Sequence, residues 1–315
     1  MDYNSEIFSI GSCFSENISK KFDYFKLKNS VNPFGVLFQP LAIEKILEKA
    51  VKEIPFTESD VFFHNELWHC FDVHSEFSQT DKNEFLEKLN QTLLETKKQL
   101  EKATHIIITL GTSWVYRYNQ TSQIVANCHK VPQKEFTKEL LSVEQITKSL
   151  QNIISLFSDK KIIFTISPVR HLKDGFFENN VSKANIFTSI NNIKICENLR
   201  NLRENYNVNY FPSYEIVMDE LRDYRFFSED MLHPNQTAID YIWERFSENY
   251  LSEKAMEISK EIDSIQKALN HKPFNPNTEQ HKKFVENTQK RIEKLRSILL
   301  HPNPFATDST SLSEN

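Results

Sequence analysis

Cys13 is the first residue whose type and position suggest chemistry. It stands in the string Gly11-Ser12-Cys13-Phe14, directly after the apolar run 7–10, and such a run followed by glycine is typical of a buried strand that ends in a turn. If a helix begins there, with Ser15-Glu16 as its N-cap region, its partial positive charge lowers the pKa of the thiol. The string predicts a thiolate nucleophile at Cys13. Ser12 is the alternative nucleophile, and a small buried thiol is the alternative role for Cys13.

A carboxylate and an imidazole stand three residues apart near the end of the same region, in Asp230-Met231-Leu232-His233-Pro234. On one loop, the carboxylate can orient the imidazole while the imidazole activates a nucleophile on another loop. Many surface loops carry this spacing, but this one lies between the last apolar run and the last helix of the predicted sheet domain. With Cys13, it predicts a nucleophile–His–Asp site for acyl chemistry.

The chain holds only four glycines, and two of them lie in strings that can line such a site: Gly35 closes Asn32-Pro33-Phe34-Gly35, and Gly111 opens Gly111-Thr112-Ser113. A glycine lets a backbone N–H approach a developing oxyanion without a side-chain clash. The oxyanion and substrate-binding candidates are therefore Asn32, Gly35, Gly111, Thr112 and Ser113. For each glycine, a turn that needs a positive φ is the alternative.

Two further segments are dense in polar and aromatic residues. Segment 64–74, with His129, predicts either a substrate-pocket wall or a hydrogen-bonded structural loop; its candidate residues are Trp68, His69, Asp72, His74 and His129. No spacing there matches a zinc site, so the sequence predicts neither metal nor cofactor. Arg170 and His171 predict either a carboxylate or phosphate clamp or an ion pair with Asp174.

The elements that must position these residues follow from the apolar pattern. Short apolar runs at 7–10, 106–110, 162–166 and 208–211 predict buried parallel strands, and 22–28 predicts an edge strand. Helical patterns separate them, beginning near Asp81, Ser142, Ser182 and Gln236. The alternation predicts an α/β fold, a three-layer α/β/α doubly wound parallel sheet in flavodoxin-like order, over residues 1–250. Residues 251–300 predict a helical hairpin that packs on the core or joins copies of the chain, and 301–315 a disordered tail.

Composition limits the classes of partner that the chain is expected to bind. The net charge is −5, with no basic cluster, which argues against nucleic-acid binding. We find neither a signal peptide nor a run of about 20 apolar residues, and the four cysteines lack paired spacing. The sequence therefore predicts a cytoplasmic protein that does not bind membranes.

The quoted strings identify a resemblance to the GSCFA family, which lies near the SGNH/GDSL hydrolases. Gly11-Ser12-Cys13-Phe14-Ser15 departs from the family string only in its last residue, and further matches cover about residues 7–250: Asn32-Pro33-Phe34-Gly35, Thr109-Leu110-Gly111-Thr112, Asn127-Cys128-His129-Lys130, Ser167-Pro168-Val169-Arg170-His171, Ser182-Lys183-Ala184 and Glu229-Asp230-Met231-Leu232-His233-Pro234.

The resemblance implies an SGNH hydrolase-like fold and an acyl hydrolase (esterase or deacetylase) or acyltransferase. Its substrate would be a small acylated molecule or glycan, with a thioester as one acyl donor for transfer. Cys13 stands where SGNH enzymes carry serine, and the Asn of their third block is replaced in Gly111-Thr112-Ser113-Trp114. A catalytically silent SGNH-like ligand-binding domain is therefore the alternative.

Overall fold

The computed structural model describes residues 1–200, 207–271, 273–275 and 277–299. The chain divides into two compact units. The larger consists of Glu6–Lys20 and Asn29–Arg245, and the smaller consists of Met1–Ser5, Lys21–Lys28 and the chain from Phe246 onward. The predicted boundary at residue 250 stays a prediction, and the predicted tail 301–315 lies outside the described residues.

The described residues form ten strands and nine α-helices, named here in chain order. The strands are β1 (Glu6–Gly11), β2 (Lys28–Val31), β3 (Val61–His64), β4 (Leu67–Cys70), β5 (His105–Leu110), β6 (Trp114–Tyr118), β7 (Gln123–Val125), β8 (Phe136–Leu140), β9 (Lys161–Ile166) and β10 (Val208–Phe211). The helices are α1 (Cys13–Tyr24), α2 (Pro40–Lys52), α3 (Lys82–Lys102), α4 (Val143–Leu156), α5 (Phe176–Arg200), α6 (Ser213–Glu215), α7 (Gln236–Tyr250), α8 (Glu253–Leu269) and α9 (Glu279–Leu299).

A five-stranded parallel sheet flanked by helices forms the centre of the larger unit, in the order β10-β9-β5-β1-β2. This confirms the α/β class and the flavodoxin-like order. The runs of β1, β5 and β9 are strands because their β-branched and aromatic side chains are buried on both faces; Ile10, Ile108 and Phe164 all lie in the core. The fourth run, β10, is half-buried up to Phe211, because it lies at an edge of the sheet. The strand at the edge beside β1 is β2, so the predicted edge strand at 22–28 is wrong. Most of that segment belongs to the end of α1 or to the turn after it.

Helices α3 and α4 begin directly after the capping residues that the sequence predicts. The carboxylate of Asp81 accepts the N–H groups of Asn83 and Glu84, and Ser142 and Gln145 form the predicted capping box. Helix α5 begins at Phe176, six residues before the predicted start at Ser182, because Gly175 at φ 115° closes the preceding turn.

Two small antiparallel sheets were not predicted. One is the hairpin of β3 and β4, and the other has the order β7-β6-β8. Their strands are short and carry many polar residues, so the apolar pattern is weak. The turn of the hairpin is made by Asn65 and Glu66, both at positive φ, without the glycine that usually signals such a turn.

The smaller unit contains the C-terminal helices α8 and α9, as predicted. Arg291 on α9 donates to the Glu261 carboxylate and to Ser264 Oγ on α8, at 2.7 and 2.8 Å. Tyr3 places its hydroxyl 3.0 Å from Ser259 Oγ, also on α8. Among the described residues, no helix combines the length and apolar character that crossing a bilayer requires.

Candidate functional site

The turn after β1 brings Cys13 to the carboxyl edge of the sheet, where ligands bind in doubly wound folds. Gly11 has φ 141°, and a Cβ there would lie 2.1 Å from the carbonyl oxygen of Thr109 on β5. Its N–H donates to Asn32 Oδ1 at 2.8 Å, and the N–H of Ser12 donates to Thr109 O at 3.0 Å. The turn is thus fixed to β5 and to the residue after β2, and α1 begins at Cys13 itself.

Ser12 and Cys13 have different surroundings. The Ser12 side chain is buried, and its Oγ accepts the N–H of Phe14 at 3.3 Å, which is a helix-capping contact. The expected N-cap at Ser15-Glu16 is therefore wrong: Ser15 lies inside the first turn and donates to Thr109 Oγ1 at 2.8 Å. The Cys13 thiol is half-buried and not in a disulfide. These contacts favour Cys13 over Ser12 as the reactive residue, although the choice stays a prediction.

The thiol of Cys13 does not have the lowered pKa that the helix N-terminus predicted. Burial raises its pKa, and the nearby carboxylate of Glu16 raises it further. The N–H groups of Cys13 and Phe14 and the ammonium of Lys183 act in the opposite direction but do not outweigh these effects. At neutral pH Cys13 is therefore a thiol, and a nearby base must accept its proton before it can act as a nucleophile.

Lys183 on α5 is a site residue that sequence reasoning missed. It is fully buried, and its Nζ donates to the carbonyl oxygens of Gly111 and Ser167 at 2.7 and 2.8 Å. These carbonyls lie just past the carboxyl ends of β5 and β9. Burial lowers the pKa of Lys183 to about 7, while the coupling to Cys13 raises it. Lys183 therefore connects two strand ends and places a titratable nitrogen in the electrostatic surroundings of Cys13.

His171 and Arg170 follow β9 at the same edge. Burial, then the charge of Lys183, lowers the pKa of His171 to about 4, so the ring is neutral and its buried Nε2 has no partner among the described residues. Arg170 lies over the rings of Tyr224 and Phe227, and it donates to the carbonyl oxygen of Met231. The predicted ion pair with Asp174 is wrong, because Asp174 pairs with Lys138 instead.

The loop that Arg170 holds contains the predicted Asp–His pair. His233 Nδ1 lies 2.5 Å from Asp230 Oδ2, and Asp230 Oδ1 accepts the N–H groups of Leu232 and His233 at 2.9 and 3.0 Å. These bonds, with the N–H of His233 first, lower the pKa of Asp230 to about 2. A carboxylate on Nδ1 favours the tautomer that leaves Nε2 able to accept a proton.

No hydrogen bond joins His233 to Cys13 within the described ranges, so their direct contact stays a prediction. Two intermediate side chains connect them in series: the charge of Lys183 acts on both Cys13 and His171, and His171 in turn feels the charge of His233. These four side chains therefore lie in one electrostatic neighbourhood at the carboxyl edge of the sheet.

The glycines proposed as oxyanion donors already donate elsewhere. The N–H of Gly35 donates to Asn32 O at 2.8 Å, and the N–H of Gly111 donates to Phe38 O at 2.8 Å. Gly35 has φ 76° and packs on His74, which leaves no room for a Cβ. The geometry of Gly35 therefore favours the alternative role, a turn that needs a positive φ.

The hydroxyls near Gly111 hold α5 in place. Thr112 Oγ1 lies 3.0 Å from Ser182 Oγ, and that oxygen accepts the N–H of Ser113 at 2.8 Å. The Ser113 hydroxyl is fully buried and donates to Ser182 O. All of these groups position Lys183, the next residue of α5.

The predicted wall residues gather around the two small sheets. His69 bonds to Ser78 Oγ and to the carbonyl oxygen of His64, and His129 Nε2 donates to Cys70 O at 2.7 Å. These bonds favour the structural alternative for both rings. Trp68 lies on β4, and Asp72 lines a cavity described below. In the described part of the chain, no three His, Cys, Asp or Glu side chains form a group that could hold a metal.

Comparison with known proteins agrees with the strings around Cys13 and His233. The model of the GSCFA family matches residues 6–246, and that of the GSCFA domain protein C-terminal domain matches residues 262–300. No curated protein matches the chain. The first match spans most of the chain and includes the turn at Cys13, Lys183 and the Asp230–His233 loop. The chain therefore belongs to the GSCFA family.

Proposed function

We propose that the larger unit is an SGNH-like acyl-transfer enzyme with Cys13 as its nucleophile. The observation that carries the proposal is the Asp230–His233 pair, with Nδ1 and Oδ2 2.5 Å apart. Half-exposed pairs of this kind add little to stability, and this one leaves an imidazole Nε2 to serve as a base. Arg170, just past β9, donates to the carbonyl oxygen of Met231 in the same loop and so holds this loop at the carboxyl edge of the sheet.

The chemistry follows from the protonation states. His233 Nε2 accepts the proton of the Cys13 thiol as Sγ attacks the carbonyl carbon of an ester or thioester. The tetrahedral intermediate collapses when His233 returns that proton to the leaving alkoxide or thiolate, and the acyl group stays on Cys13. Water or a hydroxyl acceptor, deprotonated by His233, then takes the acyl group and releases the thiol.

The oxyanion of this intermediate needs hydrogen-bond donors that have no other acceptor. The N–H of Cys13, at the first position of α1, has no backbone acceptor among the described residues. The positive end of the helix and the ammonium form of Lys183 add favourable charge beside it. Asp230 keeps the imidazole in one tautomer and stabilises the imidazolium that forms in each step.

A silent ligand-binding domain is the second candidate, and one observation favours it. Burial and Glu16 raise the pKa of the Cys13 thiol, and no hydrogen bond connects it to His233 in the described residues. A binding module needs no activated thiol, so the reactivity of Cys13 separates the two functions.

Mass spectrometry after incubation with an acyl thioester, p-nitrophenyl acetate, iodoacetamide or a fluorophosphonate tests the proposal. We expect an acyl adduct on Cys13 and faster alkylation there than at Cys70 or Cys128, where burial raises the thiol pKa to about 12 and about 11. Cys13→Ala should abolish the adduct, while Ser12→Ala and the matched control Cys128→Ala should keep it. Equal, slow alkylation of the cysteines and no acyl adduct would support the silent domain; a fluorophosphonate adduct on Ser12 would move the nucleophile there.

A further inference from the structure

A cavity of about 370 Å³ lies in the larger unit, and none of its lining residues belongs to the turn at Cys13 or to the Asp230–His233 loop; of the predicted pocket-wall residues, only Asp72 lines it. Its walls come from β3 and the residues just before it, from Phe71 and Asp72 just after β4, and from the segment around β6 and β7. A second cavity of about 230 Å³ shares Asp72 and Gln123 with it. The first volume falls in the range of small-molecule sites, and the shared residues place the second beside it.

Asp72 is the polar centre of this pair of cavities. Its side chain is only 4% exposed, and its Oδ1 accepts Lys45 Nζ at 2.7 Å and Gln123 Nε2 at 3.0 Å. Oδ2 accepts no hydrogen bond from any described residue. The Oδ2 atom is not fully buried, so it can accept a hydrogen bond from a ligand that brings an O–H or N–H group.

Aromatic side chains form the other wall of the larger cavity. The rings of Phe62 and Phe71 stack with centroids 4.1 Å apart, and Tyr118 lies 4.8 Å from Phe71. The hydroxyl of Tyr118 has no hydrogen-bond partner among the described residues, although this residue lines the cavity. The cavity therefore combines apolar faces with an unused hydroxyl and an unused carboxylate oxygen.

The charges around the cavities argue against an anion and weaken the case for a cation. The ammonium of Lys45 neutralises Asp72, so the remaining carboxylate for an organic cation is Asp60. The Oδ2 atom of Asp60 already accepts the N–H and the hydroxyl of Thr57. The larger cavity is lined by Asp60 and Asp72 but by no lysine or arginine, so an anion such as a phosphate has no cationic partner there. A neutral ligand with several hydroxyls satisfies Asp72 and Tyr118 and can place its C–H faces against the aromatic rings.

We propose that this cavity binds a neutral polyhydroxylated ligand of the size of one sugar ring, held by hydrogen bonds to Asp72 and Tyr118 and by contact with Phe62 and Phe71. The ligand is either a free sugar or the end of a glycan. This inference does not rest on the acyl chemistry proposed for Cys13.

Saturation-transfer difference NMR on the full chain tests it, with methyl glucoside, methyl galactoside and methyl N-acetylglucosaminide as probes and their β-linked disaccharides as the glycan arm. We expect at least one methyl glycoside to bind. Losing one charge-assisted or one neutral hydrogen bond should weaken binding about tenfold in Asp72→Asn and about threefold in Tyr118→Phe. Tighter binding of the disaccharide would indicate a glycan end, and equal or weaker binding a free sugar.

The controls separate this result from a folding defect and from the acyl chemistry. Tyr116→Phe changes a tyrosine two residues away on β6 that does not line the cavity, and it should bind like wild type. Cys13→Ala should also keep sugar binding. The proposal is overturned if no methyl glycoside binds, if tetramethylammonium or inorganic phosphate binds instead, or if folded Tyr118→Phe and Tyr116→Phe bind equally well.

Discussion

Lys183→Met is the change whose effect can be worked out most fully from the structure. Methionine keeps the unbranched stem of Lys183 but removes the buried nitrogen and its two bonds, to Gly111 O and Ser167 O. Leaving two buried carbonyls without donors destabilises the variant, while removing a buried cation stabilises it. Because these effects oppose each other, the pH dependence of the difference in stability is more informative than its value at one pH.

The sign follows from proton binding in the two states. An unfolded lysine has a pKa near 10.4, whereas burial lowers the pKa of Lys183 to about 7. Between these values the unfolded chain binds more protons, so the stability of wild type relative to Lys183→Met rises with pH. From pH 7 to pH 9 the rise is about 2 kcal/mol, and it ends as the pH passes the unfolded pKa.

Urea unfolding followed by tryptophan fluorescence at pH 7, 8 and 9 measures this difference. Other titrating groups, including the thiols of Cys70 and Cys128, occur in both proteins and cancel in the comparison. Lys267→Met serves as an exposed-lysine control, because Lys267 lies on the surface of α8. A wild-type minus Lys183→Met difference that stays constant from pH 7 to pH 9 would refute the idea of a buried lysine with a lowered pKa.

Two further predictions concern the loop and the turn that define the site. Asp230→Asn should lower kcat/KM for a thioester substrate by about 10⁴-fold, while the unfolding midpoint stays close to wild type because the pair is half-exposed; unchanged kinetics would remove Asp230 from the mechanism. Gly11→Ala should lose about 3 kcal/mol or more of stability in urea unfolding, because the new Cβ meets backbone at 2.1 Å. Gly175→Ala, also at positive φ but against the flexible end of Glu178, should lose less, and an equal loss would contradict the role of the rigid Thr109 carbonyl.

The sequence predicts the central sheet well because each of its inner strands is a short apolar run, and parallel crossovers leave few orders for such strands. It predicts β2 and the two small sheets poorly. Strand β2 is only half-buried and polar, with the sequence Lys28-Asn29-Ser30-Val31, so its pattern resembles a loop. The small sheets depend on pairing between residues up to 26 positions apart, which the local pattern does not contain.

The candidate site likewise has features that the sequence predicts and features that it does not. The Asp230–His233 contact is local in sequence and was predicted. The pKa of Cys13 is raised first by burial, which depends on the whole fold; the second cause, Glu16, is only three residues away and could have been weighed from the sequence. Lys183 had a signal that could have been used: it shares the apolar stripe of α5 with Ile186 and Ile190, three and seven residues later. A lysine on such a stripe must be buried or extend out of it, and only the fold tells which.

The walls of the sugar-sized cavity come from segments outside the central sheet. The hairpin of β3 and β4 lies between α2 and α3, and the strands β6, β7 and β8 lie between β5 and α4. Substitutions, insertions or deletions there change the lining around Asp72 while the pairing of β1 with β5, which fixes the turn at Cys13, stays the same. The lining of this cavity and the turn at Cys13 can therefore change independently. On our two proposals, family members with the same residues at Cys13, Asp230 and His233 need not share a ligand.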